Sequence, residues 1–401
     1  VPGPLTGLKV IEIGEMVSAP YAAKLMADVG AEVIKVEQPE VGDPARRRGP
    51  FPRNEPHPEK SGLFLYLNAN KLGITLNLAS PRGMSLLERL VADADVLIHN
   101  FPPFEMDRLG LDFERLRRVN NRLVMTSITP FGMDGPNRNY RATNLVLWSA
   151  GGACYLNGAP QRPDLPPLAA FGQQAYYQAG AHAAVATMGA VLGRLAHGEG
   201  QHVEVSVQET VASILEMTFA FWPYAGMITT RLGQKPIQPL DVMECRDGYI
   251  YVCCVEEHQW QAFVELMGKP EWATEEIFSD RLKRAANWDA LRPLLQEWVG
   301  QQSVQELYRK ALDRKIPFAP VSTMGDLLSA EHLKARGFFV EIHHPEAGTY
   351  RYPGAPAKYS RTPWELRLPA PLLGQHNREI YVGRLKLSEA ELKELEDAGV
   401  V

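Results

Sequence analysis

Cysteine is scarce in this sequence: four residues in 401, Cys154, Cys245, Cys253 and Cys254, with no CxxC pair among them. That spacing excludes a disulfide scaffold and a thiolate zinc site. Cys253 and Cys254 fall in the apolar run YIYVCCV, where free thiols serve as small hydrophobes. The ten histidines are scattered, and the adjacent His343 and His344 lie in a strand-like stretch that sends them to opposite faces, so no metal is expected. No run of 18 apolar residues exists, which excludes a membrane-spanning helix, and VPGPLTGLKV has neither a signal-peptide nor a transit-peptide pattern; a cytoplasmic protein is the expectation. A net charge of -5 with a pI near 6.1 argues against a nucleic-acid surface. One further absence is local. Between Asp164 and Glu199 there is no carboxylate at all.

What is present alternates strand and helix. LKVIEIG (8–14), AEVIKVE (31–37), DVLIHN (95–100) and RLVMTSITPF (122–131) read as buried strands. APYAAKLMADVG and PRGMSLLERLVADA have helical spacing, the second with proline in its first turn. This pattern predicts a parallel sheet covered by helices. Glu37 ends the second strand where a ribose-binding acid would sit, but the turn after the first strand, GEMVSAP, has one glycine where a dinucleotide fingerprint needs three. Residues 174–197 form a long alanine-rich helix. From about 225 to 325 the character changes, with a hairpin turning at Asp247-Gly248 followed by three helices. The expected organisation is a large Rossmann-like α/β domain begun by residues 1–224, a smaller α+β domain at 225–325, and a return segment at 326–401 that completes the first.

Five stretches in this order, LTGLKVIEIGEMVSAPYAAKLMADVGAEVIKVEQPEVGD, LNANKLGITLNL, NFPPFEMDRLGLDFERL, SITPFGMDGP and GEGQHVEVSVQE, resemble the class III CoA-transferases. The wording SGLFLYLNANK is most similar to the succinyl-CoA:benzylsuccinate branch, which pairs two related chains. The resemblance implies an interlocked dimer, coenzyme A or an acyl-CoA as substrate, and transfer of CoA to a carboxylic acid such as benzylsuccinate. It also implies CoA contacts at Asn68, Ala69, Asn70, Lys71, Asn100, Phe101, Arg108 and Arg141. The cluster ARRRGP (45–50) reads as a solvated loop, and Gln38 stands where the family has an arginine.

The family relays the acyl group through an aspartate. Such a relay needs an ionised oxygen: glutamine has none, and a tyrosine phenol is protonated near pH 7. Counting forward from SITPF places the relay position at Gln173; counting backward from GEGQ places it at Tyr176. Neither is acidic. The racemase branch is disfavoured as well, since its histidine would fall at Ala142. The expectation is therefore a chain that is non-catalytic by itself and is partnered by a sister chain bearing the aspartate. The alternatives are recruitment of Asp164 or Asp241, or a CoA-binding regulatory protein without turnover. Trp148, Tyr176 and Tyr177 are expected to pack in the core more than to line a pocket, and His182 to be a satisfied core or interface residue.

Overall fold

The structure is a computed structural model that describes residues 2–159, 162, 164–231 and 237–401. The chain divides into two compact units, one of residues 1–157, 167–229 and 337–401, the other of 158–166 and 230–336.

The first unit is built on six parallel strands: β1 (Lys9–Glu12), β2 (Glu32–Glu37), β3 (Lys71–Thr75), β4 (Val96–His99), β5 (Val124–Thr129) and β6 (His202–Ser206). Their order is β3-β2-β1-β4-β5-β6, the doubly wound arrangement in which the chain reverses direction of travel between β1 and β4. Side chains alternate across the sheet. Ile11, Ile34, Val36, Leu97 and Met125 enter one core, while Val10, Val33, Val96, Ile98 and Val124 enter the other.

Among the described residues, the helices threaded between and after these strands include α1 (Ser18–Asp28), α2 (Gly62–Asn68), α3 (Pro81–Val91), α4 (Pro103–Leu109), α5 (Phe113–Val119), α6 (Asn144–Ala150), α7 (Gln174–His197), α8 (Val207–Ser213) and α9 (Glu216–Ala225). In α3, Pro81 opens the first turn and Met84, Leu87, Leu90 and Val91 bury one stripe. Each fully buried aliphatic side chain of this kind contributes about 1.5–3 kcal/mol. On the opposite face, α1 and α7 meet through alanines: Ala19, Ala22, Ala23 and Ala27 against Ala175, Ala179 and Ala183. The approach is close enough that a Cβ on Gly180 would stand 2.6 Å from the Ser18 carbonyl oxygen, so glycine is required there.

The second unit holds β7 (Leu240–Cys245), β8 (Gly248–Cys253) and β9 (Ala319–Pro320), with α10 (Glu257–Leu266), α11 (Arg281–Ala286), α12 (Trp288–Val299) and α13 (Val304–Asp313) around them. Its core centres on Trp260, Phe263, Leu291, Leu295 and Phe318. The hairpin turn lies at Arg246-Asp247, one residue earlier than the sequence suggests. Gly248 already pairs with Cys245, and the Asp247 carboxylate accepts the Val304 amide at 2.8 Å.

The chain then returns to the first unit through the hairpin β10 (Phe339–His344) and β11 (Gly348–Pro353). Further along it docks on the free side of β3, where His376 and Gly73 exchange two hydrogen bonds (3.0 and 2.9 Å) and the Thr75 amide donates to Asn377 Oδ1 at 2.9 Å. Tyr381 buries its ring and donates its hydroxyl to the Thr75 carbonyl at 2.7 Å.

Candidate active site

In a doubly wound sheet, ligands gather at the carboxyl ends of the strands where the order reverses. A cavity of ≈ 660 Å³ lies there. Its walls come from the turn after β1 (Glu15–Ser18), the segment after β4 (Asn100–Pro102), Arg141–Leu145 and the entry to α7 (Gly172, Gln173, Tyr176). Like the shorter α4, α6 and α8, the long helices α1 and α7 begin at this cavity. Their leading N–H groups and aligned peptide dipoles favour a negative charge. Two arginines, Arg48 and Arg141, add formal positive charge to the lining. Phe101, Phe104 and Leu145 make much of the rest apolar. The arrangement suits a ligand with anionic ends and an apolar body.

The turn after β1 is fixed from both sides. The Glu15 amide donates to Asn100 Oδ1 at 2.8 Å, and Asn100 Nδ2 donates to the Glu15 carbonyl at 2.7 Å and to Ser18 Oγ at 3.0 Å. Gly14 allows this clamp: a Cβ there would lie 2.3 Å from Ala19 Cβ and 2.9 Å from Asn100 Oδ1. Met16 takes a left-handed conformation (φ 61°) and donates its amide to Asp43 Oδ1 at 3.0 Å. Asp43 is held in turn by Lys35 Nζ at 2.7 Å. Burial alone would strip the Lys35 proton, but Asp43, Glu12 and Glu37 together outweigh it and hold the ammonium above the ordinary lysine value.

Beneath Phe101 lies a second strut. His99 Nδ1 accepts the Phe101 amide (3.2 Å), and His99 Nε2 and His202 Nε2 each lie 2.7 Å from Ser127 Oγ. Complete burial of His99, helped by His202, pushes its pKa down to about 3, so the ring is neutral.

The residues expected to touch CoA separate into two groups. Asn68, Ala69, Asn70 and Lys71, where the resemblance implies CoA contacts, are buried within the fold, the three polar side chains hydrogen-bonded there, and do not line the cavity. Lys71 Nζ donates to Glu12 Oε2 (2.6 Å), the Pro20 carbonyl (2.9 Å) and Asn68 Oδ1 (2.9 Å). Asn70, in a left-handed conformation, ties Asp28 to the return segment through Glu365, Arg367 and Leu368. Lys71 opens β3 and lies buried, where desolvation pulls its pKa down to about 8 against the opposing charge of Glu12. Asn100, Phe101 and Arg141 do line the cavity, although the Asn100 amide is occupied by the β1 turn. Arg141 stacks 5.2 Å from the centre of the Phe104 ring. Arg108 lies outside the cavity, with Gln38 and Glu37 around a smaller one of ≈ 130 Å³, its guanidinium on Glu105.

The basic cluster 45–50 is not a solvated loop. Arg46 is buried on Glu37 and Glu59, and Arg48 lines the main cavity. Glu37 is therefore spent inside the protein rather than offered to a ribose. Gln173 and Tyr176, the two candidates for the relay position, both line the cavity. Gln173 stands at the N-cap of α7 without capping it, and Tyr176 donates to the Ala142 carbonyl at 3.2 Å. Burial raises the Tyr176 pKa, so its phenol stays protonated. Trp148 packs against the α1–α7 core, and Tyr177 meets Tyr21 edge-on at 4.8 Å. His182 is exposed, its Nδ1 on the Gln178 carbonyl, and does not enter the core of this chain. Asp164 pairs with Arg162 and Asp241 with Arg292; neither lines the cavity. Among the described residues, the carboxylate that does is Glu15, which no sequence motif singles out and which also borders the smaller cavity beside Arg108.

Comparison with known proteins gives a consistent result. The family model described as CoA-transferase family III matches residues 5–377. The alpha subunit of succinyl-CoA–L-malate CoA-transferase of Chloroflexus aurantiacus is 30% identical over 402 residues, covering 99% of this chain and 92% of that protein. Subunit BbsE of succinyl-CoA:(R)-benzylsuccinate CoA-transferase of Thauera aromatica is 34% identical over 374 residues, 90% of each chain. The crystal structure of a CAIB/BAIF family protein from Brucella suis superposes with a TM-score of 0.86 at 30% identity, over 98% of this chain and 100% of that one. With the doubly wound sheet and the cavity at its reversal point, these matches establish that the chain belongs to CoA-transferase family III.

Proposed function

We propose that this chain is one of two homologous subunits of a CoA-transferase that moves CoA from an acyl-CoA, succinyl-CoA in the first instance, to an aromatic or other dicarboxylic acid such as benzylsuccinate. The observation that carries the reading is the cavity at the end of β1 and β4, basic at Arg48 and Arg141 yet without a carboxylate at 173 or 176. A dicarboxylate or a CoA phosphate finds charge-assisted hydrogen bonds from the two arginines. The N–H groups opening α1 and α7 suit the oxyanion formed when a thioester carbonyl is attacked. Phe101 and Leu145 supply apolar walls for the acyl or aromatic portion.

Two features support a sister chain. The name of the malate relative and that of the benzylsuccinate relative each describe a subunit, and both transfer from succinyl-CoA to a dicarboxylic acid. The first unit also leaves large apolar side chains exposed: Val185, Leu192 and Leu195 on α7, with Met217, Phe219 and Trp222 on α9. Apolar surface on this scale marks a protein interface, and the interlocked dimer implied by the family resemblance would cover it. The sister chain would carry the aspartate relay in its own cavity.

The test is native mass spectrometry of the complex purified from its source, with a succinyl-CoA transfer assay against a panel of dicarboxylic acids. A two-chain assembly that transfers CoA is the expected result. A homomeric assembly sinks the two-subunit reading, and absence of transfer to any acid sinks the reaction.

A further inference from the structure

We infer that Glu15 is itself an acyl-relay residue, so that this chain's own cavity is catalytic despite its neutral residues at 173 and 176. The inference rests on the reading of the cavity as an acyl-CoA site and goes beyond it by assigning the nucleophile.

Glu15 is the one carboxylate among the described lining residues of the cavity. The other acids around this edge of the sheet are engaged. Glu12 holds Lys35 and Lys71, Glu37 holds Arg46, Asp43 holds Lys35, and Glu105 holds Arg108. Among the described residues, no hydrogen bond or ion pair ties down the Glu15 carboxylate. Its backbone, by contrast, is clamped by Asn100 on one side and through Met16 by Asp43 on the other. A free carboxylate on a fixed backbone is what a positioned nucleophile needs. Desolvation, with the nearby charge of Asp43, raises its pKa against the pull of Lys35 and Arg47, which makes it a more basic nucleophile than an exposed glutamate. The helix α1 begins three residues later, at Ser18, which lines the same cavity.

The chemistry closes without a further reagent. A Glu15 carboxylate oxygen attacks the thioester carbonyl carbon; a C–O bond forms, the C–S bond breaks, and CoA leaves as the thiolate. The product is a mixed anhydride of the donor acid and Glu15. The thiolate then attacks the glutamyl carbonyl carbon, forming a C–S bond and expelling the donor carboxylate. An acceptor carboxylate attacks the glutamyl thioester, and the same two steps in reverse deliver acyl-CoA and restore the Glu15 carboxylate. No net proton is taken up or released.

The experiment uses the full chain, alone and in the complex purified from its source. Each is incubated with succinyl-CoA, quenched with hydroxylamine and mapped by peptide mass. The expected result is a hydroxamate on the peptide containing Glu15, abolished in Glu15→Gln. That variant is isosteric and removes no hydrogen bond, and an unchanged melting temperature checks that it folds. Label confined to the sister chain while the complex turns over would overturn the assignment and leave the CoA-transferase reading intact. Label on this chain that persists in Glu15→Gln would overturn it equally. If neither chain is labelled and no acid accepts CoA, the underlying reading of the cavity fails, and the assignment with it.

Discussion

The two helix entries at the cavity make an instructive pair. Both α1 and α7 start at the carboxyl edge of the same sheet, and both pack on the same face of it through alanines. At α7 the chain arrives with Gln173, an uncapped neutral residue and one of the two positions, 173 and 176, where the family resemblance implies an acid. At α1 it arrives through a turn fixed by Asn100, Asp43 and Gly14 that carries Glu15. Of these two helix entries, the one at α1 carries a carboxylate and the one at α7 a neutral side chain. Loss of a residue at one family position therefore does not decide whether a cavity is inert. The inventory of its whole lining does.

Four substitutions or conditions break or sharpen this contrast. The largest effect is expected from Glu15→Gln, which lowers CoA transfer in this chain's cavity by at least about 10³-fold, because an amide has no ionised oxygen to acylate. Steady-state rates at saturating succinyl-CoA, in a complex whose sister aspartate has been replaced by asparagine, provide the check.

Acid tests the strut beneath the α1 side. Folded His99 takes a proton only near pH 3, whereas the unfolded side chain takes one near 6.5. Between those values the unfolded state binds more protons, so stability falls as pH falls, by up to about 1.4 kcal/mol per pH unit from this group. Denaturant midpoints at pH 6.5, 5.5 and 4.5 should show a steeper decline in the wild type than in His99→Gln. Parallel declines would mean that His99 is not held neutral.

Asn100→Ala removes the clamp and leaves the Glu15 amide and carbonyl without their partner. A loss of about 1–3 kcal/mol is expected, with transfer impaired beyond what the stability change explains. Urea titration and kinetics on the same preparation separate the two effects. The smallest change comes from Gln173→Asp, which gives α7 a capping acid worth about 0.5–1 kcal/mol. After incubation with succinyl-CoA this variant should also show trapped label at residue 173. A thermal shift without label would show that geometry, as well as charge, has been lost at the α7 entry.

Much of the architecture was legible in the sequence because its signals are local. Buried parallel strands are continuous apolar runs, and LKVIEIG, AEVIKVE and DVLIHN each contain an observed strand. The helix at 174–197 is alanine-rich and closed by Gly198 in the left-handed conformation, and it falls where expected. The family resemblance points to residues 68–71 as a ligand-binding turn, and nothing local in LNANK predicts their burial. Their burial depends on Glu12, Asp28 and the return segment, partners 42 to nearly 300 residues distant in sequence. The burial of Arg46 is hidden in the sequence although its partners are near, since Glu37 and Glu59 are charged residues whose convergence no periodicity reveals. Glu15 escaped notice because one acid in a turn carries no motif. Only the assembled cavity places it, alone among the described carboxylates, on that lining.

The docking of residues 371–381 on β3 has a consequence for how this protein is made. Until that segment emerges from the ribosome, the outermost strand of the sheet displays the amide of Gly73 and the amide and carbonyl of Thr75 without partners, a template for pairing with another nascent chain. Truncation upstream of Pro371 should therefore yield insoluble material rather than a soluble, weakened enzyme.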